Sequence, residues 1–354
     1  MLLPFLALLT LAATPQWART DLPVPKAHPA MSVVSRGVNA SGAAIYVGTF
    51  GKPDRLHQLA FLWRHGRMTP LTNANAPWVD VYGINSSGTV VGDAGARAVV
   101  WRNGRPAVLA KEPSTARALN DRGTIVGDDQ REAVIWRDGA ELPLEGIATV
   151  TAINDRDQVI GETPDGDGMA HAMLWENGTA TDLGSIGSAA SWATAINGSG
   201  VVAGYLATGF GFPISAVEWI DGRLVDLGRF GALGAESIAV NDAGDVLVQL
   251  LDSTGKPSAI VLVRNGKPVP IPGVVARSVD AQGQVLGYLL TTKHGRRSFV
   301  WRNGKTTLLP TSDEARGPWG GPNLVAGAWA VGEEYVSLPN GDTTSHAVLW
   351  RRGR

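Results

Sequence analysis

The sequence contains no cysteine among its 354 residues. This absence excludes a disulfide framework and a lipid anchor attached to cysteine. A chain without disulfides must be stabilised by a sizeable hydrophobic core, and this chain is long enough to bury one. We therefore expect one large domain rather than a small cross-linked one.

The sequence also lacks an excess of either charge and, beyond its first residues, any long hydrophobic run. Its 31 basic and 32 acidic residues give a formal net charge of −1. Because no block of like charge stands out, we expect no nucleic-acid partner. No later apolar stretch is long enough to cross a bilayer, so we expect no membrane span.

The first residues form an apolar run without a charged side chain, from Leu2 to Leu11. The run is too short to span a bilayer and is typical of a secretory signal peptide. We predict a signal peptide over residues 1–18, with cleavage after Ala13 or after Ala18, and a secreted or periplasmic protein. An N-terminal strand or helix of the folded domain is the alternative.

Glycine and proline are abundant, with 44 and 21 copies, and Val, Ile, Thr and Trp occur in short runs between them. This pattern indicates many tight turns between short strands. No segment keeps a helical period of 3.6 residues. The sequence therefore predicts an all-β fold.

A short apolar run that ends in tryptophan or valine occurs eight times, and a glycine follows three residues later each time. The run ends at Trp63, Trp101, Trp136, Trp175, Trp219, Val263, Trp301 and Trp350. Upstream of each run stands an Asn or Asp, at positions 39, 85, 120, 154, 197, 241, 280 and 323, spaced by 34 to 46 residues. Such a period indicates a repeat architecture.

Each repeat has the pattern of four short strands in an up-and-down meander, which is one blade of a β-propeller. The repeats start near residues 37, 82, 117, 151, 194, 238, 277 and 320. We predict a single propeller domain over residues 19–354 with eight blades, or seven if the degraded segment from Asn323 to Gly332 is a cap. The last repeat lacks a fourth strand, and Arg19 to Leu22 resembles the other fourth strands, so this segment should close the ring.

The third strands resemble bacterial extracellular repeats named for a His-Ala-Phe motif, the HAF family. The resemblance rests on His171 to Trp175, on His346 to Trp350 and more loosely on Leu59 to Trp63. The Ile-Asn-x-x-Gly-x-Val-x-Gly pattern is similar to that family too. The His is replaced in other repeats by Arg97, Glu132, Ser215, Ala259 and Arg297. The resemblance implies a secreted repeat protein without an assigned reaction, so no catalytic residues are carried over.

The repeated Trp and Asn residues are best explained by packing between blades and by turn geometry. Function is expected where the repeats differ, in the long connections at one end of the blades. We predict ligand-binding residues there: Trp78, Trp192 and Trp319 as platforms for sugar rings, and Asp128, His171 and His294. Asp165 and Asp167 would supply oxygen ligands to Ca²⁺. Packing between loops and solvated loops are the alternatives.

Two functions agree with these patterns. The first is a non-catalytic, monomeric binding or scaffold protein that recognises an extracellular glycan or protein through the variable loops. The second is an extracellular enzyme on the same scaffold, either a hydrolase or lyase acting on polysaccharide or, given eight blades and many Trp residues, a quinone-dependent dehydrogenase. The hydrolase needs two carboxylates facing each other across the channel mouth. No nucleophile elbow, zinc-binding helix or phosphate-binding loop is present in the sequence.

Overall fold

The computed structural model describes residues 17–25, 30–52, 55–72, 76–110, 113–129, 132–187, 189–208, 212–291, 295–312, 322–337 and 343–353. Within these ranges the chain forms eight antiparallel sheets of four strands each. The predicted signal peptide falls almost wholly on residues 1–16, which lie outside the described residues, as do His294 and Trp319.

The first four blades follow one another along the chain. Blade 1 contains β2 (Ala30–Val38), β3 (Ala44–Lys52), β4 (Arg55–Arg64) and β5 (Arg67–Leu71); blade 2 contains β6 (Val79–Ile84), β7 (Val90–Ala94), β8 (Ala98–Arg102) and β9 (Arg105–Val108). Blade 3 contains β10 (Thr115–Leu119), β11 (Ile125–Asp128), β12 (Ala133–Arg137) and β13 (Ala140–Pro143); blade 4 contains β14 (Thr149–Ile153), β15 (Val159–Pro164), β16 (Ala170–Glu176) and β17 (Thr179–Asp182).

The last four blades have the same order. Blade 5 contains β18 (Ala190–Ile196), β19 (Val202–Ala207), β20 (Pro213–Ile220) and β21 (Arg223–Gly228); blade 6 contains β22 (Gly234–Val240), β23 (Val246–Leu251), β24 (Pro257–Arg264) and β25 (Lys267–Ile271). Blade 7 contains β26 (Val275–Val279), β27 (Val285–Thr291), β28 (Gly295–Arg302) and β29 (Lys305–Leu308); blade 8 contains β30 (Pro322–Ala326), β31 (Trp329–Ser337), β32 (Thr343–Arg352) and β1 (Trp17–Asp21).

The eight sheets form a closed ring. The first strands of neighbouring blades contact one another all the way around, including β30 with β2. The outer strand of blade 8 comes from the other end of the sequence, because β1 pairs antiparallel with β32 from Trp17 opposite Arg352 to Asp21 opposite Val348. The predicted eight-bladed propeller with an N-terminal closing strand is therefore confirmed. The strand begins at Trp17, two residues before the predicted domain boundary.

In blades 1 to 7 a two-residue turn joins the third strand to the fourth. In seven blades both turn residues have positive φ, as at Asn103 (φ 53°) and Gly104 (φ 76°). Two left-handed residues define the type I′ turn, which matches the twist of a hairpin and favours Asn-Gly and Asp-Gly. This geometry explains the glycine that follows the third strand in these seven repeats.

A bulge in the first strand of each blade explains the glycine in the second strand of the repeat, such as Gly92. The pairing of β6 with β7 shifts between Val81 and Gly83, and the same shift recurs in the other blades. At the bulge the first strand approaches the second closely, so a Cβ at Gly92 would collide with the carbonyl oxygen of Asp80. Gly127 is fixed in the same way by the carbonyl of Thr115.

The core lies between blades. Trp101 of blade 2 is fully buried and belongs to one cluster with Val47 and Leu62 of blade 1. Trp350 of blade 8 packs with Leu286 of blade 7. The interpretation of the motif tryptophans as packing residues is confirmed for six of the seven, and Trp63 is only partly buried.

The repeated asparagines form a chain of hydrogen bonds that links blade to blade. Each Nδ2 donates to the main-chain carbonyl of the equivalent residue in the next blade, over distances of 2.9 to 3.1 Å, from Asn39 through Asn241. Each Oδ1 accepts the main-chain N–H four residues later, which holds the turn. Each asparagine therefore holds its own turn and also joins it to the turn of the next blade.

The series of asparagine hydrogen bonds ends differently at the seventh and eighth blades. Asp280 takes the Asn position, and its Oδ2 accepts the N–H of Gly327 in blade 8 at 3.1 Å. The alignment of Asn323 with the turn asparagines was wrong, because Asn323 lies inside β30 and the turn that follows is at Gly327. The eighth blade has a shorter turn, closed by the pair Ala326 and Trp329.

Candidate functional site

The ring has two different faces. The turn face carries the turns between first and second strands and between third and fourth strands, all of them short. The loop face carries the second-to-third connections and the links between blades, which differ in length from blade to blade. The sequence predicted this division into two faces, but in blades 1 to 7 the second-to-third connections are no longer than the first-to-second turns. Loops held on a rigid scaffold are common binding surfaces.

The opening of the channel on the turn face is polar, and its carboxylates are engaged in the fold. A cavity of about 470 Å³ is lined there by the repeated asparagines and by Asp121, Asp155 and Asp242. Asp121 Oδ1 accepts the N–H of Ser86 at 2.8 Å, and Asp242 Oδ1 accepts that of Gly198 at 2.8 Å. These carboxylates serve to join neighbouring blades.

The loop face, in contrast, exposes large apolar side chains at the ends of strands and in the links between blades. Apart from Val108 and Leu308 at the ends of outer strands, they are Met31, Leu56, Trp78, Ile186, Leu233 and Leu290. Leu290 is 62% exposed and Leu233 is 56% exposed. We call these six residues the apolar rim. Exposed apolar side chains gathered on one side of a protein often mark an interaction surface.

Around the channel on the loop face, blades 1 to 3 carry pairs of charged and polar groups. Arg36 makes a two-pronged contact with Asp80, with its Nη2 2.8 Å from Oδ2. Arg117 Nε donates to Asp128 Oδ2 at 2.6 Å. The predicted ligand residue Asp128 is therefore one half of an ion pair. Because Arg36 and Arg117 are each paired with a carboxylate, their positive charges are largely neutralised within the protein.

Tyr82 and Asp93 lie between those two ion pairs. The hydroxyl of Tyr82 donates to Asp93 Oδ1 at 2.7 Å. Burial raises the pKa of the Asp93 carboxyl, and the charge of Asp80 raises it further, against the lowering effects of Tyr82 and Arg117. Burial and the hydrogen bond to Asp93 raise the pKa of the Tyr82 hydroxyl. Both groups are held in fixed positions.

Blades 4 to 6 carry a different group, which we call the aromatic-acidic arc: Glu162, Trp192, Tyr205 and Glu236. Trp192 on β18 stands opposite Tyr205 on β19, and their rings stack at 5.3 Å between centroids with an angle of 10°. All four residues are partly exposed. Burial and the charges of Glu236 and Glu162 raise the pKa of Tyr205 to about 12, so both carboxylates act on the same hydroxyl.

The two carboxyl groups of the arc have similar environments. Burial raises the pKa of Glu162 and also that of Glu236. A glycosidase needs one carboxyl kept protonated and another kept ionised, so the environments must shift the two pKa values apart. In the arc, burial shifts the pKa values of Glu162 and Glu236 in the same direction.

The residues proposed for calcium lie in the second-to-third connection of blade 4. Asp165 Oδ1 accepts the main-chain N–H groups of Asp167 and Met169, at 2.9 and 2.8 Å, which closes the loop. His171 contacts Asp165 through Nε2 at 3.3 Å and Asp182 through Nδ1 at 2.8 Å. Across the described ranges no group of three or more His, Cys, Asp and Glu side chains is arranged to hold a metal.

We expect His171 to titrate above the ordinary pH range of histidine because Asp182 stabilises its protonated form. The hydrogen bond to Asp182 is the largest cause of the raised pKa, and Asp165 adds to it. The stabilisation is complete below the pKa of an unfolded histidine, about 6.5, and is lost as pH rises through the higher folded value. An NMR titration should show a lower His171 pKa in Asp182→Asn. Asp226→Asn, at the same position in blade 5, should leave it unchanged.

The structure brings some of the predicted ligand residues to one face but does not join them into one site. Trp192 belongs to the aromatic-acidic arc, Trp78 to the apolar rim, and Asp128 to an ion pair with Arg117. Sequence reasoning missed Glu162, Tyr205 and Glu236. For the first two a signal existed: the residue after the second-strand glycine changes type from repeat to repeat, as Asp93, Asp128, Glu162 and Tyr205 do.

No helix capable of crossing a bilayer is present in the part of the chain that the structure describes.

The fold is similar to solved structures at low sequence identity. A puromycin-hydrolysing peptidase of Mycobacterium tuberculosis is 13% identical with a TM-score of 0.51, over 94% of this chain and 61% of that one. YCF48 bound to D1 peptide is 9% identical with a TM-score of 0.41, over 97% of this chain and 100% of that one. TolB from Acinetobacter baumannii is 10% identical with a TM-score of 0.38, over 91% of this chain and 80% of that one.

The chain thus spans less than two thirds of the length of the peptidase. At this identity the likeness shows a shared fold. No protein-family model matches the sequence, and no curated protein matches it. The resemblance to the HAF repeats stays a prediction, and the β-propeller fold is established by the eight four-stranded sheets of the structure itself.

Proposed function

We propose that the protein is a secreted or periplasmic, non-catalytic propeller that binds an extracellular glycan at the loop-face mouth of its channel. The observation that carries this proposal is the stacked pair of Trp192 and Tyr205, with two carboxyl groups close enough to raise the pKa of the Tyr205 hydroxyl. A flat aromatic surface packs against the apolar face of a sugar ring, and carboxylates accept hydrogen bonds from its hydroxyl groups.

The geometry of the arc fits a neutral or weakly basic sugar better than an acidic one. Glu162 and Glu236 both place negative charge near Tyr205, because both raise the pKa of its hydroxyl. An anionic ligand would be repelled by this charge. A hexose or an amino sugar would meet acceptors without repulsion.

A protein partner is the second candidate, and the apolar rim favours it. The six side chains of the apolar rim are exposed on the loop face, where they offer apolar surface to a protein partner. The two candidates use different residues of the same face. They can therefore be separated by substitution.

The signal peptide is part of the proposal, and the core indicates where cleavage is compatible with the fold. Trp17 is 7% exposed and packs with Trp350. Cleavage after Ala13 keeps Trp17 in the mature protein, whereas cleavage after Ala18 removes it. We therefore favour the earlier site, and mass spectrometry of the exported protein would identify its first residue.

Trp192→Ala should weaken glycan binding by about 30-fold, which corresponds to about 2 kcal/mol for an aromatic residue at the centre of a site. Binding is measured by calorimetry, after a thermal-shift screen of neutral, amino and acidic oligosaccharides has found a ligand that raises the melting temperature. Glu236→Gln, which keeps the shape of the side chain and removes its charge, should weaken the same ligand less.

Trp78→Ala is the matched control because Trp78 is exposed on the same face outside the arc. It should leave the affinity unchanged. Equal affinity of the unsubstituted chain and Trp192→Ala would refute the assignment of the site. Failure of every oligosaccharide, together with a protein partner lost in Leu233→Ser and Leu290→Ser, would establish the second candidate instead.

A further inference from the structure

A second cleft lies on the opposite face of the ring, between blades 3 and 4. Its volume is about 690 Å³, and three arginines line it: Arg122, Arg137 and Arg156. Arg122 and Arg156 come from the first turns of neighbouring blades, and Arg137 ends the third strand of blade 3. Volumes of this size are typical of small-ligand sites.

Blade 4 departs from the repeat at this cleft. Asp157 stands where the other turn positions have glycine, and it keeps the left-handed backbone with φ of 60°. Its side chain is buried, and its Oδ1 accepts a hydrogen bond from Asn120 Nδ2 at 2.7 Å. Its Oδ2 faces Arg122 Nη1 at 3.4 Å and Arg137 Nη1 at 3.5 Å. One oxygen is thus shared by two guanidinium groups.

The contacts of Arg137 are weak compared with those of the same position in blade 6. There Arg264 binds Asp245 through two short hydrogen bonds, of 2.9 and 2.7 Å. Arg137 makes one contact at the limit of hydrogen-bond length. A guanidinium has five N–H donors and binds an oxyanion best through two of them. Arg137 and Arg122 therefore keep donors for a further acceptor.

The charges of the cleft indicate what that acceptor is. Asp157 and Glu145 are its two acidic lining residues, against three arginines, so one positive charge remains uncompensated. A carboxylate carries one negative charge, whereas phosphate at neutral pH carries more. The apolar side chains of Leu142, Pro143 and Trp175 line the remainder of the cleft. They offer a surface for the uncharged part of a ligand.

We propose that this cleft binds a small ligand through a carboxylate group, held by Arg122 and Arg137, with its uncharged part against Leu142 and Trp175. The site differs in place and in charge from the aromatic-acidic arc, which repels anions. The protein would then hold two ligand groups of different chemistry on its two faces.

The test uses the full chain and glucuronate as the carboxylate probe, with glucose as the neutral counterpart and inorganic phosphate as the competing anion. Binding is followed by NMR shifts of the Trp175 indole and by calorimetry. We expect saturable binding of glucuronate and none of glucose. Arg137→Gln should weaken glucuronate at least fivefold, and Arg102→Gln, at the same position in blade 2, should leave it unchanged.

Asp157→Gly provides a test that loss of folding cannot imitate. Glycine is the residue that most repeats use at this turn and tolerates its positive φ. The substitution releases Arg122 and Arg137 from their shared oxygen, so glucuronate should bind at least threefold more tightly. Unchanged or weaker binding in this variant would overturn the proposal. So would the absence of saturable glucuronate binding, or tighter binding of phosphate than of glucuronate.

Discussion

A chain that begins at residue 25 is expected to lose the closed ring and much of its stability. It lacks β1, so β32 becomes an open edge along its whole pairing with β1, from Val348 to Arg352. It also lacks Trp17 and Leu22, which are buried in the clusters on either side of blade 8. Loss of two large core side chains costs about 5 kcal/mol or more, which lowers the melting temperature by on the order of 10 °C.

An unpaired charge adds to this loss. Arg19 Nη2 lies 2.9 Å from Glu334 Oε2, and the Glu334 side chain is only 5% exposed. Removing one partner of a buried ion pair leaves a charge that is poorly solvated, which is strongly destabilising. The open β32 edge should in addition promote association between chains, because an unpaired strand presents free hydrogen-bonding groups.

The experiment compares chains that begin at residues 14, 19 and 25 by calorimetry and size-exclusion chromatography. The chain from residue 14 should be stable, the chain from residue 19 weakened by the loss of Trp17, and the chain from residue 25 the least stable and prone to associate. A synthetic peptide of residues 17–25 added to the shortest chain should restore its melting temperature. If the shortest chain melts within a few degrees of the longest, the ring does not depend on β1.

The closing strand could be predicted because it is a local pattern. Thr20, Asp21 and Leu22 repeat the sequence of Thr181, Asp182 and Leu183, so the repeat identifies the segment wherever it occurs. The blade count was predictable for the same reason. The front of blade 8 was not, because its turn is shorter and has glycine and alanine where the others have Asn.

The candidate site was less predictable because its residues meet across blades. Trp192 was identified from the sequence, but its stacking on Tyr205 depends on the register between β18 and β19. Glu236 comes from a third blade and has no repeat signal of its own. The asparagines were interpreted as turn residues, and they do hold their turns, but each also donates a hydrogen bond to the next blade. Their bond to the next blade requires the curvature of the ring, and no local sequence pattern specifies that curvature.

Asn197→Ala is expected to produce a large loss of stability, because the side chain fixes its own turn and bonds to the next blade. Asn197 is 4% exposed, and its Nδ2 donates to the carbonyl of Asn241 at 2.9 Å. Its Oδ1 accepts the N–H groups of Ser199 and Val201, at 3.0 and 2.9 Å. Alanine leaves buried polar groups without partners, at about 1 kcal/mol or more each. We expect a loss of about 3 kcal/mol in the free energy of unfolding, measured with urea.

The nearby substitution Ser199→Ala removes only a hydroxyl that donates to Asn197 Oδ1, so it should cost less than about 1 kcal/mol. Position 280 supplies the reciprocal test. Asp280 Oδ2 accepts hydrogen bonds from Gln284 Nε2 and from the N–H of Gly327. Asp280→Asn replaces one of the two side-chain oxygens by an NH2 group. Either that group faces these two donors, or the side chain turns and loses an acceptor elsewhere. The residue that suits six blades should therefore destabilise the seventh. If Asn197→Ala costs no more than Ser199→Ala, and Asp280→Asn is neutral, neither the bonds within the turns nor those between blades contribute the stability expected of them.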